Sequence, residues 1–256
     1  MNRIHLRRIY GHLKKYRMVR WLRRWPKGVL VDGPLTYNED GLATRHNADF
    51  LHSPRFKQAY LAGKATGSWG DGDIRWRAYV ACWLAQRALM FEGDFVECGV
   101  NRGGLARTVV EYLGFGNVGR RFFLLDTYCG IPDESLSPEE RALGVKWNYS
   151  ECYDAVRTTF AAYENVVLIR GIVPHTLRHV DATKVAYLSL DMNCAQPEIA
   201  AARHFWPMMP SGAVILLDDY GWSGHTAQKR AFDRFAHDHG VEVLALPSGQ
   251  GMIFKS

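Results

Sequence analysis

The stretch that most constrains the fold is residues 93–104, Gly-Asp-Phe-Val-Glu-Cys-Gly-Val-Asn-Arg-Gly-Gly. Residues 95–98 read as a buried strand that carries one acid, Glu97, and residues 105–113 read as a helix. The glycine-rich turn between them lets the backbone bend tightly and come close to a ligand. The helix N-terminus leaves free N–H groups facing out of that turn. An open α/β sheet binds nucleotide-like cofactors at such a junction. The spacing departs from the dinucleotide fingerprint G-x-G-x-x-G. Here it is Glu97-x-Gly99-x-x-x-Gly103, with an acid closing the strand. On this match alone, an ordinary strand–turn–helix stays open as the alternative.

The rest of the chain repeats the alternation. Residues 121–126 (Arg-Phe-Phe-Leu-Leu-Asp) are a continuous apolar run, as expected of a parallel strand covered on both faces. Further strands are expected over 166–170, 185–190 and 213–217, with helices over 49–63, 74–90, 151–163, 197–205 and 226–239. Two last strands, 241–246 and 251–255, flank a Ser-Gly-Gln-Gly turn and should pair antiparallel. The expected fold is α/β, a Rossmann-like, doubly wound, mostly parallel seven-stranded sheet closed by a C-terminal antiparallel hairpin, with a helical N-terminal extension. Residues 28–47 read as an irregular connection. Residues 67–73 read as a flexible linker or as a lid over the cofactor pocket, and 127–150 as a long loop walling that pocket. The division expected is 1–73 for the basic extension and linker, and 74–256 for the cofactor-binding domain.

The formal charge of +6 is a property of one end. Residues 1–27 hold ten Lys or Arg and no acid, and the other 229 residues carry 22 basic and 26 acidic groups. Leu6, Ile9, Leu13 and Tyr16 recur at helical spacing in that arm. Packing on the domain or on a second subunit is the leading reading, with peripheral contact to an anionic membrane as the alternative. Nothing there resembles a sequence-specific DNA-binding module. The five cysteines are widely spaced and form no C-x-x-C pair. They read as reduced residues of a cytoplasmic protein, and they argue against zinc. No apolar run reaches the length of a membrane span.

Acids close three more strands. Asp126 ends the second strand, 23 residues past Gly103, where a carboxylate can accept from both hydroxyls of a cofactor ribose. Asp191 ends the fourth, and Asp218 and Asp219 end the fifth. Their convergence beside the glycine-rich turn would set like charges close together, which a hard divalent ion with oxygen ligands relieves. Spacing alone gives equal weight to loop-capping or solvated aspartates. His225, in the loop after the fifth strand, reads equally as a proton acceptor or as a capping histidine. His175 is a candidate for the adenine side.

Three segments carry a resemblance: residues 94–104, then Leu-Asp-Thr-Tyr-Cys-Gly-Ile-Pro at 125–132, then Gly-Ala-Val-Ile-Leu-Leu-Asp-Asp-Tyr at 212–220. The first resembles motif I of class I S-adenosylmethionine (SAM) methyltransferases. Together, in this order, they resemble the macrocin O-methyltransferase family over roughly residues 76–255. Members are SAM- and Mg²⁺-dependent and methylate sugar hydroxyls of natural products. The resemblance implies that Glu97, Gly99 and Gly103 hold the methionine end of SAM and Asp126 its ribose. It implies that Asp191, Asp218 and Asp219 bind Mg²⁺. Where family members commonly carry Asp-x-Asp-x-Tyr, this chain has Asp191-Met192-Asn193-Cys194-Ala195. Asn193 keeps an oxygen but loses a charge.

The function expected is O-methylation of a sugar hydroxyl on a glycan or glycosylated small molecule, with Asp191 as first choice for the base and His225 as second. Two alternatives stand beside it. One is a non-catalytic SAM-fold binding or scaffold protein, the other an NAD-dependent oxidoreductase, which the missing fingerprint disfavours. A homo-oligomer is expected by analogy with the family.

Overall fold

The computed structural model describes residues 34–142, 144 and 149–256. The helix expected in the basic arm and part of the loop expected over 127–150 lie outside the described residues. The chain forms two compact units, 34–38 with 42–48, and 39–41 with 49–256. Residues 49–73, expected from sequence to belong to the extension and linker, pack within the second unit. A short ribbon, β1 (Tyr37–Glu39) and β2 (Leu42–Thr44), replaces the irregular connection expected there. Asp40 and Gly41, both at positive φ, make its two-residue turn, the conformation that Asp-Gly favours in hairpins.

The second unit is built on a seven-stranded sheet. Its strands are β3 (Asp94–Cys98), β4 (Phe122–Asp126), β5 (Val166–Arg170), β6 (Val185–Leu190), β7 (Val214–Leu217), β8 (Leu244–Ala245) and β9 (Gly251–Phe254). They lie in the order β5-β4-β3-β6-β7-β9-β8. The first five are parallel, and β9 runs antiparallel to both β7 and β8. Only two residues of the last expected strand but one join the ladder, as suits an edge kept short.

Alternate side chains serve the two faces. Phe95, Phe122, Leu124, Tyr187 and Leu216 pack with α1 (Pro54–Lys64), α2 (Arg75–Ala88) and α3 (Gly104–Leu113). Val96, Phe123, Leu125, Leu188, Leu190, Ile215 and Leu217 pack with α6 (Ala195–Phe205) and α7 (Thr226–Asp238). Every residue of β6 is buried, which is why it reads as an apolar run broken only by Ser189. Each such Leu or Phe stabilises the fold by about 1.5–3 kcal/mol. Two smaller helices, α4 (Pro138–Ala142) and α5 (Tyr153–Phe160), complete the described helices.

Ser53 caps α1, its Oγ accepting from the Phe56 N–H, with Pro54 at the first helical position. Segment 67–73 is pinned: Trp69 stacks on Tyr60 at 5.5 Å, and the Tyr60 hydroxyl accepts from the Ile74 N–H. In the sheet, β3 lies between β4 and β6, where the strand order reverses. The carboxyl ends of the strands open a crevice at that reversal.

Candidate active site

A cleft of 390 Å³ opens there. Trp69, Leu105, Tyr128, Ile131 and Ile172 supply apolar wall, and Glu97, Asp126, Asp191, Asp218, Asp219 and His225 supply its charged and titratable groups. Ser68 also lines it and joins it to the helix behind, its Oγ accepting from the Gly104 N–H at 2.8 Å. The segment expected as linker or lid therefore forms one wall and caps the start of α3.

The glycine-rich turn is shaped by its protein neighbours. Gly99 has φ +92°, and a Cβ there would fall 2.0 Å from the Asp191 carbonyl oxygen. The glycine lets the ends of β3 and β6 approach. Gly103 has φ +82° and faces the Phe160 ring, 2.7 Å from where a Cβ would sit. Gly99, Val100, Asn101 and Gly104 line the cleft, and Gly103 stands behind them. Asp126 braces the same turn. Its Oδ2 accepts from Val100 and Asn101 N–H at 2.6 and 2.8 Å, and its Oδ1 from Tyr128 N–H at 2.6 Å. Thr127 Oγ1 also lies 3.3 Å from Oδ1, but its single proton has the closer Gly130 carbonyl at 2.6 Å; of about four acceptor sites on a carboxylate, one is then left for a ribose hydroxyl.

Glu97 is 1% exposed, and its Oε2 has no partner. Burial, then the charges of Asp218 and Asp126, push its carboxyl up to about 8, against the pull of the Ala106 N–H. A buried acid with an unpartnered oxygen in a cleft is a functional-site candidate.

Asp191, Asp218 and Asp219 meet at the ends of β6 and β7, with one oxygen of each within 4.8 Å of the others. Asp219 Oδ2 is buried and unpartnered. Burial, then the charges of Asp218 and Asp219, hold the Asp191 carboxyl well above the usual range. Burial and Asp218 push Asp219 up to about 6, with His225 and Arg77 pulling it down. Asn193, at φ +58°, points its amide nitrogen towards Asp191 Oδ1 at 3.5 Å. It approaches its neighbour as a donor.

Two groups that carry no signal in the sequence complete this corner. Arg77, on α2, donates from Nε to Asp40 at 2.8 Å and from Nη1 to Asp218 Oδ2 at 2.5 Å. Gln250 Nε2 donates to Asp218 Oδ1 at 2.9 Å. On the other side, His225 Nδ1 lies 2.5 Å from Gln228 Oε1. Gln228 in turn donates from Nε2 to Glu198 Oε1 at 2.8 Å, and that oxygen also accepts from the Met192 N–H. The Glu198 contact fixes the Gln228 amide, so the amide oxygen faces the ring and Nδ1 is the donor. His225 then carries its lone pair on Nε2.

The structure thus brings Glu97, Gly99, Asp126, Asp191, Asp218, Asp219 and His225 to one cleft and leaves Gly103 just behind it. His175 lines a neighbouring groove instead. Lys229 and Arg230 are surface charges paired with Asp233 and Glu139. No helix among the described residues is long and apolar enough to cross a membrane. All five cysteines are free.

Among solved structures, the O-methyltransferase NovP is similar at TM-score 0.62 and 21% identity, over 70% of this chain and 79% of NovP. The calicheamicin methyltransferase CalS11 matches at TM-score 0.58 and 14% identity, over 89% of this chain and 99% of its own. An O-methyltransferase from Bacillus cereus in complex with SAH matches at TM-score 0.53 and 13% identity, over 79% and 91%. At these identities the likeness carries the fold. No curated protein matches the sequence. Residues 72–245 match the model of the macrocin-O-methyltransferase (TylF) family. With that match over most of the chain, on a methyltransferase sheet with an acid-lined cleft at its switch point, the protein belongs to the macrocin-O-methyltransferase family of class I SAM-dependent O-methyltransferases.

Proposed function

We propose that the protein methylates a sugar hydroxyl of a glycan or glycosylated small molecule, with a divalent cation, Mg²⁺ by preference, holding the acceptor. The observation that carries this reading is the convergence of Asp191, Asp218 and Asp219 beside the glycine-rich turn. Three hard oxygen donors, one of them buried and unpartnered, fit such an ion. NovP and CalS11 share the fold, and one solved structure of CalS11 describes it as a TDP-rhamnose 3′-O-methyltransferase.

The residues present also fit SAM. The unpartnered Glu97 Oε2 suits the cationic methionine end. Gly99, Val100, Asn101 and Gly104 line the same pocket. Asp126 keeps acceptor capacity for the ribose, and Tyr128, Ile131 and Ile172 give apolar cover for the adenine. Bound SAM supplies an electrophilic methyl group on a sulfonium.

A sugar hydroxyl is protonated at neutral pH and is a poor nucleophile. A divalent ion held there would lower the pKa of that hydroxyl and fix its direction. Asp191, Asp218 and Asp219 would hold that ion. His225 then accepts the hydroxyl proton at Nε2, and Gln228 and Glu198 support the choice by holding Nδ1–H. Asp191, the first choice on sequence, is in this reading occupied as a ligand. Trp222 and Tyr149 line the mouth and would exclude water as the acceptor docks.

The test is transfer of labelled methyl from SAM to a panel of free and nucleotide-linked sugars, with Mg²⁺ or with a chelator. Transfer that needs Mg²⁺ and is lost in Asp219→Asn supports the reading. Chelator-insensitive transfer would remove the metal from it. A panel-wide absence of transfer, with SAM still bound, would favour the non-catalytic alternative.

A further inference from the structure

We propose that Arg77 is a resident cation of the acid cluster that competes with the divalent ion for Asp218 and so limits how tightly the site holds metal. This rests on the proposed divalent site at Asp191, Asp218 and Asp219. Arg77 reaches the cluster from α2, far in sequence from the strands that carry the aspartates. Its side chain is 16% exposed, and that of Asp218 is 7% exposed. The guanidinium spans two carboxylates, Asp40 through Nε and Asp218 through Nη1. Gln250 engages the other Asp218 oxygen and also approaches the Arg77 carbonyl. Asp218 is thus held at both oxygens, whereas Asp219 Oδ2 has no partner.

The balance of charge makes the arginine a competitor. Asp40, Asp191, Asp218 and Asp219 carry four negative charges when ionised, and Arg77 offsets one. A guanidinium stays protonated at every pH at which proteins fold. The cation is therefore permanent. It keeps Asp218 in place without metal, and it repels a second cation that must share the same carboxylate. In a partly buried site this repulsion is screened little. Asp40 acts in the opposite sense. It shares the guanidinium with Asp218, Nε on one and Nη1 on the other, so its charge offsets part of the cation's pull on Asp218. The arrangement sets a threshold concentration of divalent ion below which the arginine alone occupies Asp218.

Two substitutions should therefore move metal affinity in opposite directions, read by calorimetric titration with Mn²⁺ alone. Arg77→Met should bind Mn²⁺ at least tenfold more tightly than the unaltered protein. Asp40→Asn should bind it several-fold more weakly. Asparagine tolerates the positive φ of position 40, so the turn is kept. SAM titration on each variant checks that the cleft is intact. Equal or weaker Mn²⁺ binding by Arg77→Met with SAM binding retained overturns the proposal. If Arg77→Met does not fold, unchanged or tighter binding by Asp40→Asn overturns it. Mn²⁺ binding by Arg77→Met and not by the unaltered protein would support it most strongly. If the unaltered protein binds Mn²⁺ and Asp219→Asn abolishes this while the Arg77 and Asp40 variants are unmoved, the inference falls and the metal site stands. If no variant binds Mn²⁺, both fall.

Discussion

Replacing Glu97 by glutamine should stabilise the ligand-free protein at neutral pH while weakening SAM binding. The Glu97 carboxyl has an ordinary value of 4.5 and stands at about 8 in the fold. Between those values the unfolded chain has lost the proton and the native state keeps it. Stability from this group is therefore fully present below pH 4.5 and is lost as pH rises through about 8. The loss runs at about 1.4 kcal/mol per pH unit and reaches about 3 kcal/mol at pH 7. Glutamine has no such proton. Its amide brings a fixed offset, because its buried N–H₂ lacks an acceptor, of about 1–3 kcal/mol. The informative quantity is thus the slope of the difference. Urea unfolding at pH 5, 6 and 7 should show Glu97→Gln gaining on the unaltered protein by about 1.4 kcal/mol per unit. At pH 8, near the folded value of Glu97, the variant's SAM affinity should be about 10–100-fold below that of the unaltered protein, since a charge-assisted hydrogen bond to the methionine amino group is lost. A stability difference that does not change with pH would mean that Glu97 is ionised in the native state, and the expected proton linkage would be wrong.

Other consequences are as direct. Gly99→Ala meets the Asp191 backbone at 2.0 Å and a positive φ, and should destabilise the protein by about 2–4 kcal/mol in denaturant unfolding. Asp219→Asn removes the buried unpartnered oxygen's charge and should abolish Mn²⁺ binding measured by calorimetry, while leaving SAM binding. His225→Ala should lower kcat by about 10²–10⁴ with little change in the Kd for SAM. Gln228→Leu removes the partner that holds Nδ1–H, and should lower kcat and shift the acid limb of its pH profile, where a merely structural role would leave the limb unmoved.

How much of the fold and the site is legible in the sequence depends on what burial does to a pattern. Strands β3, β4, β6 and β7 are covered on both faces, so they appear as short, mainly apolar runs, and the acids that close β4, β6 and β7 stand out against them. Asp126, Asp191, Asp218 and Asp219 stand out as candidates for that reason, and the family resemblance implies roles for them. Gly103 looks like a ligand contact in the sequence because a glycine in such a turn looks the same whether it spares room for a cofactor or for the Phe160 ring. Arg77 is invisible there. On α2 it is one arginine beside Arg75, and only the return of β7 and the β1–β2 turn makes it a partner of Asp218 and Asp40. The Gln228–Glu198 contact joins two helices 30 residues apart, and no local spacing announces it. The Asp40-Gly41 turn has a signal, the Asp-Gly pair itself, which the polar surroundings obscure.

In the proposed reading SAM binds through Glu97, whose Oε2 is buried without a partner, with or without the metal. Calorimetric titration of SAM into the purified protein, with Mg²⁺ and with a chelator, and again into Glu97→Gln, asks this of the molecule itself. One-to-one binding is expected in both conditions, weakened in Glu97→Gln. No heat of SAM binding in either condition would contradict it and would leave the glycine-rich turn as a structural junction only.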